Sequence, residues 1–265
     1  MHPSITIAKQ AAVDAGKLML RYFENLDKIE IQTKRPNDLV SEVDIRAEQI
    51  IIQTLRKFNP DYAILGEESG HLEGARDDHQ WIIDPLDGTT NYLHGIPHFC
   101  VSIALRQQGK LEAGVIYDPI RQEMFTASRG QGAQLNDRRI RVSSRGGLDG
   151  ALYSTGLPPW KTNSHQVFFK VLSALTEHSA MMRRSGSAAL DLAYVAAGRL
   201  DGFWEMNLNA WDIAAGALLI QEAGGLVGDF KGSHDFMDNG NIVAANPKVF
   251  KGMLQIIKPQ FETAR

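Results

Sequence analysis

WIIDPLDGTTN, Trp81 to Asn91, decides how the rest of this chain is read. An apolar run ends at Asp84, Pro85 is expected to stop the strand, and Asp87 follows just before Gly88, Thr89 and Thr90. Two carboxylates are then held on one tight turn. Like charges that close raise each other's pKa and weaken a fold unless a cation sits between them, so the spacing points to a hard divalent ion with oxygen ligands. A turn in which Asp87 caps the following helix satisfies the same residues. A helix starting at Gly88 and Thr89 would aim its first amide N–H groups at the turn and offer a phosphate site beside the metal.

Upstream, the strand-like Tyr62 to Leu65 also ends in acids, Glu67 and Glu68, which serve either as solvated loop residues or as metal ligands. Apolar residues recurring at three and four predict helices over Ile5 to Phe23 and Ser41 to Phe58. Asp44 falls on the flank of the second helix's apolar face, where a carboxylate needs a partner. Gln32 to Asp38 reads as a polar connector. Phe99 to Arg106 and Leu111 to Tyr117 read as a hairpin about Gln108-Gly109, with further strands at Glu123 to Ala127 and Arg139 to Val142. The first half is expected to be a helix pair on an antiparallel-looking sheet.

SSRGGLDG, Ser143 to Gly150, is the expected internal boundary, dividing the chain into 1–145 and 146–265. Beyond it strand-like and helical stretches alternate, predicting an α/β half with helices near Ser164 to His178, Ser187 to Ala197, Trp211 to Ala223 and Pro247 to Ile257. Asp212 stands at the start of the third, where an acid also serves simply to offset the helix dipole.

The chain has 265 residues, 43% hydrophobic and 22% charged, which excludes a disordered or fibrous protein. Lys+Arg 28 against Asp+Glu 31 leaves a net charge of −3, so no overall basic field draws in nucleic acid or an acidic membrane. No stretch approaches the roughly 20 apolar residues that span a bilayer, and a cytoplasmic protein is expected. Cys100, the single cysteine, is expected to be a buried, inert thiol. The histidines carry no HExxH spacing and no GxxxxGK[ST] loop occurs, which weighs against zinc and against a nucleotide-binding P-loop.

Three segments taken together, GEES at Gly66 to Ser69, DPLDGTTN at Asp84 to Asn91 and WDIAAGALLIQEAGG at Trp211 to Gly225, resemble the inositol monophosphatase family of magnesium-dependent, lithium-sensitive phosphatases. RRSGSAALDLAYVAAGRLDGFWE, Arg183 to Glu205, is particularly similar to its bacterial inositol-1-monophosphatases. The resemblance implies an α/β fold: the layered αβαβα sandwich of the inositol monophosphatase and fructose-1,6-bisphosphatase superfamily. It implies hydrolysis of inositol monophosphates and similar polyol phosphates by a metal-activated water. Fructose 1,6-bisphosphate and 3'-phosphoadenosine 5'-phosphate are the alternative substrates within the superfamily.

By the same resemblance, two to three Mg2+ ions are held. Glu67, Asp84 and the Leu86 carbonyl would take one, and Asp84, Asp87 and Asp212 a second, with Glu67 helping to place a third through water. Lys34, Asp44 and Thr89 would flank the attacking water. Glu67, Asp87, Gly88, Thr89, Gly186, Ser187, Ala188, Glu205 and Asp212 would contact the substrate. A homodimer is implied, and the association of some bacterial members with transcription antitermination factors adds those proteins as expected partners.

Overall fold

The computed structural model describes residues 2–26, 31–35, 38–158 and 164–262, and the side chains of all of these but 31–35, 38–40, 77 and 262. Helix α1 (Pro3–Phe23) is followed by β1 (Ile31–Arg35) and β2 (Asp38–Ser41), an antiparallel hairpin where a polar connector was expected. Ile31, Thr33, Leu39 and Val40 favour extended backbone, and the charged residues between them hide that preference. Helix α2 (Glu42–Phe58) starts in a capping box: the Ser41 hydroxyl accepts from the Val43 N–H at 3.1 Å, and the Asp44 carboxylate accepts from the Ser41 N–H at 2.9 Å.

β3 (Tyr62–Gly66), β4 (Gly70–Leu72), β5 (Arg76–Asp87), the single turn α3 (Thr89–Leu93), β6 (Cys100–Gln107), β7 (Lys110–Asp118), β8 (Glu123–Ser128), β9 (Gly132–Leu135) and β10 (Arg138–Arg139) come next. Their strands form an eight-stranded sheet in the order β10-β9-β8-β7-β6-β5-β3-β4. It is mixed, since β3 and β5 run parallel while the other neighbours are antiparallel. The β6–β7 hairpin turns on Gln108 and Gly109, with φ of 50° and 76°, the positive pair that suits the twist of a two-residue hairpin. Pro85 does not end its strand. A bulge between Asp84 and Asp87 absorbs the proline, and pairing with β6 resumes at Asp87 opposite Cys100.

The rest comprises β11 (Ala151–Thr155), α4 (Ser164–Thr176), β12 (Ser179–Arg183), α5 (Ala188–Ala196), β13 (Gly202–Glu205), α6 (Ala210–Glu222), β14 (Leu226–Gly228), α7 (Phe236–Asn239), β15 (Ile242–Ala245) and α8 (Pro247–Glu262). These strands form a five-stranded sheet ordered β12-β11-β13-β15-β14. β11 is parallel to both neighbours, as alternating strands and helices predict, and β15 returns antiparallel between β13 and β14.

The layers follow from side-chain alternation. On the larger sheet Trp81, Ile83, Val101, Ile103 and Val115 face α1 and α2, while Ile82, Cys100, Ala104, Ile116 and Phe125 face α5 and α6. The second helix pair is thereby enclosed between the sheets, and α4 with α8 covers the outer face of the smaller one around Tyr153, Phe168, Trp204 and Met253. The result is the αβαβα sandwich. Enclosure on all sides explains why α5 and α6 are apolar almost throughout.

The two central helices touch at Gly216, where a Cβ would stand 2.5 Å from the Leu192 Cβ. Gly216→Ala is therefore expected to lower stability by about 1–3 kcal/mol despite the better helix propensity of alanine, as read by denaturant unfolding. Unchanged stability would mean that the helix pair separates freely. Among the described residues no helix is long and apolar enough to cross a membrane.

Candidate active site

Three acids converge from separate elements. The bulge of β5 carries Asp84 and Asp87, and the first turn of α6 carries Asp212. The Ser102 hydroxyl on β6 donates to the Trp211 carbonyl at 3.3 Å, tying the start of α6 to the strand beside Asp84. Glu67 joins them from the end of β3, its N–H donating to the Ile83 carbonyl at 3.1 Å.

Asp84 is 2% exposed, and its Oδ1 accepts from the Leu86 N–H at 3.0 Å. Burial pushes its carboxyl well above the usual range, and Glu67, Asp87 and Asp212 push it further, Glu67 also through a hydrogen bond. Asp212 is raised well above its ordinary value by burial and by Asp87, while its Oδ2 accepts from the Asn209 N–H at 2.7 Å. Asp87 is raised by burial and held back by its donors: Oδ2 accepts from the Ser187 hydroxyl at 2.6 Å and the Ala189 N–H at 2.7 Å.

Among the described residues no three His, Cys, Asp or Glu side chains close around one point as a finished cage. The donors are nonetheless all hard oxygens, carboxylates plus the nearby Leu86 carbonyl. No lysine or arginine is ion-paired with Asp84, Asp87 or Asp212 among the described residues. An open set of this kind fits a hard divalent ion that keeps several of its waters.

Beside the acids, Asp44 and Thr89 form a directed pair. Asp44 is 1% exposed; its Oδ2 accepts from the Ser41 N–H at 2.9 Å and the Ser41 hydroxyl at 2.6 Å. Its Oδ1 accepts from the Thr89 hydroxyl at 2.9 Å, which supplies the partner its place on α2 demands. Burial raises the Asp44 pKa against these bonds. The Thr89 oxygen also lies 3.1 Å from the Leu86 carbonyl. Lys34 is carried by β1, and its side chain lies outside the described residues.

The helix expected after Gly88 is the one-turn α3, too short for a large dipole, so any anion there relies on individual N–H groups. Gly88 itself is required. Its φ is 100°, and a Cβ would meet the His98 carbonyl at 3.0 Å and the Gly186 carbonyl at 3.3 Å.

Glu67, Asp87 and Asp212 open into a cavity of about 270 Å³ that also takes in Thr89, Gly186, Ser187, Ala188 and Glu205. Asn91 of α3 donates to the His98 and Ser185 carbonyls at 2.8 and 2.9 Å, which draws the Gly186–Ala188 segment onto the β5 turn. The Ser187 hydroxyl is engaged with Asp87, and its contribution to the wall is mainly backbone. Glu205 lies against the backbone at Gly156, where a Cβ would fall 1.8 Å from its Oε1. Burial, then Asp191 and Asp212, push its carboxyl well up.

Sequence reasoning missed Asp191 in the same wall, 2% exposed, bonded to the Ser154 hydroxyl at 2.6 Å and pushed up to about 7 by burial. An acid inside the apolar stretch AALDLAYVA was its signal. Cys100 is the buried thiol expected, with Sγ 3.9 Å from Asp87 Oδ2, and burial followed by Asp87 holds its pKa well up.

The family model described as the inositol monophosphatase family matches residues 1–260. The Nus factor SuhB of Pseudomonas aeruginosa is 54% identical over 98% of this chain and 97% of its own. The crystal structure of the extragenic suppressor protein suhB from Bartonella henselae superposes with a TM-score of 0.94 at 46% identity, covering 96% of this chain and 98% of that one. An inositol monophosphatase from Anabaena (Nostoc) superposes with a TM-score of 0.86 at 36% identity, covering 96% and 95%.

Proposed function

The chain belongs to the inositol monophosphatase family, whose members are phosphoric monoester hydrolases and generally metal-dependent, and from that premise we propose that it hydrolyses inositol monophosphates and similar polyol phosphates with magnesium. The observation that carries this reading is the crowding of Glu67, Asp84, Asp87 and Asp212: the Asp84 and Asp212 carboxyls are pushed well up by burial and by the neighbouring acids, which calls for an outside cation. In the proposed arrangement Glu67, Asp84 and the Leu86 carbonyl would hold one ion and Asp84, Asp87 and Asp212 a second, with Glu67 helping to place a third through water.

Bound magnesium lowers the pKa of a coordinated water and offsets charge on the phosphate and the leaving oxygen. The chain's own groups do the rest. The Thr89 hydroxyl orients the attacking water, and the proton passes by way of its oxygen to Asp44 Oδ1. Lys34 completes that flank. The Gly88 and Thr89 amides steady the phosphate oxygens. Glu205 with the Gly186, Ser187 and Ala188 backbone, Asp87 and Asp212 receives hydroxyl groups of the polyol. Glu205 in that wall suits the hydroxyl groups of a polyol, and Arg184 is the one basic side chain in the cavity lining among the described residues, so a monophosphate fits better than fructose 1,6-bisphosphate or 3'-phosphoadenosine 5'-phosphate. The active unit is proposed to be a homodimer, as the family resemblance implies.

Phosphate release from myo-inositol 1-phosphate should exceed release from either bisphosphate and fall by about a hundredfold or more on chelation, returning with magnesium. Turnover indifferent to chelator would sink the metal-dependent reading. A preference for a bisphosphate would move the substrate. The name Nus factor carried by the Pseudomonas relative supports a second role beside transcription antitermination factors. Binding of such factors by an Asp84→Asn chain separates that role from hydrolysis.

A further inference from the structure

Glu48 lies one helical turn beyond Asp44 on α2 and is 3% exposed, yet the catalytic proposal gives it no part. Among the described residues no cationic side chain is ion-paired with it. Its carboxylate is met instead by two successive backbone donors of the loop after β3: Oε2 accepts from the Glu68 N–H at 3.0 Å and Oε1 from the Ser69 N–H at 2.8 Å. Both oxygens of one buried side chain therefore fix the peptide units that immediately follow Glu67. The preceding residue makes room for them. A Cβ on Gly66 would stand 2.3 Å from Glu48 Oε2 and 2.7 Å from its Cδ, so the carboxylate reaches under the loop only because residue 66 is glycine.

Glu67 is thus held from two sides. Its own N–H is bound to the Ile83 carbonyl on β5, next to Asp84, and the two N–H groups after it are bound to Glu48. Two residues four apart on a helix share a face about 6 Å apart along the axis. The same rigid face therefore directs Asp44 at Thr89 and Glu48 at the Glu67 loop. This couples the position of the water-handling pair to that of the Glu67 carboxylate.

We propose that Glu48 is a positioning residue for the metal site: it sets the Glu67 loop so that the Glu67 carboxylate faces Asp84, and Gly66 is the space it needs. The inference rests on the metal-dependent reading above, and partners behind a metal ligand typically change affinity by about tenfold to a hundredfold when removed.

Glu48→Gln keeps the shape but turns an amide NH2 toward one of the two N–H donors. Gly66→Ala leaves every carboxylate in the sequence and displaces the Glu48 head. Calorimetric titration of the metal-free chain with magnesium is expected to show at least about tenfold weaker binding for both variants. At saturating magnesium, kcat on inositol 1-phosphate should stay within about threefold of the parent, because no reacting group is touched. Rescue of turnover by excess metal is the split that a merely structural residue would not produce. Parental magnesium affinity in either folded variant overturns the proposal, whatever happens to the melting temperature. A parent chain that binds magnesium, loses that affinity in the variants and releases no phosphate would overturn the phosphatase reading while supporting this one.

Discussion

Asp84→Asn is expected to lower phosphate release by about a thousandfold at saturating magnesium while raising the melting temperature of the metal-free chain at pH 8. The two effects have one cause. Asp84 is 2% exposed and surrounded by Glu67, Asp87 and Asp212, so its carboxyl is held well above the usual range by burial first and like charge second. The folded chain accordingly binds this proton more tightly than the unfolded chain, whose carboxyl titrates near about 3.9. The stability that results is fully present below the unfolded value and is lost as pH rises through the folded one. The metal-free parent should therefore melt lower at pH 8 than at pH 5.5.

Asparagine preserves the contact with the Leu86 N–H, donates an amide hydrogen to Glu67 and cannot ionise. The variant's melting curve should move less with pH, and magnesium should stabilise it less than the parent. Calorimetry in chelator at the two pH values, alongside a phosphate-release assay, reads both effects. A variant that stays active removes Asp84 from the metal set. One that loses activity but melts like the parent at pH 8 removes the like-charge argument.

Much of this was legible because the site lies where pattern and punctuation coincide. WIIDPLDGTTN breaks from a buried run into two acids and a glycine within a few residues, and α6 shows its acid at the first turn of an apolar helix. What failed was local inference about where elements end. Pro85 is a strand breaker only if pairing must stay regular, and the bulge opposite β6 removes that condition. The β1–β2 hairpin was hidden by its charged residues.

Glu48 and Asp191 escaped for a different reason. Each is an acid whose meaning depends on a chain segment distant in sequence: the loop after β3 for Glu48, and Ser154 for Asp191. Spacing alone marked Glu48 only as a helix residue four after Asp44. A buried acid on an otherwise apolar face is the signal to follow in such cases, because it must find a partner or a ligand.

Asp44→Asn and Thr89→Val should each lower kcat by roughly a hundredfold to ten-thousandfold while leaving magnesium binding near the parental value. The argument turns on which oxygen of Asp44 is occupied. Oδ2 takes two donors from Ser41, so in the asparagine variant the amide oxygen stays there and the NH2 replaces Oδ1 toward Thr89. The Thr89 hydroxyl then receives a hydrogen bond where it used to give one. One of its two lone pairs is then taken, and the hydroxyl proton has no carboxylate to pass to when the water's proton arrives. Valine keeps the volume and removes the oxygen altogether, whereas Thr89→Ser should retain most activity.

Because the two residues act as one relay, the double variant should be little slower than the worse single one, a departure from additivity that marks direct coupling. Burial also lifts the Asp44 pKa, so the acid limb of the parental kcat profile should lie above the ordinary carboxylate range and shift or vanish in Asp44→Asn. Additive losses, or an unmoved limb, would assign the proton to another acceptor and leave the Asp44–Thr89 bond as a support for the start of α2.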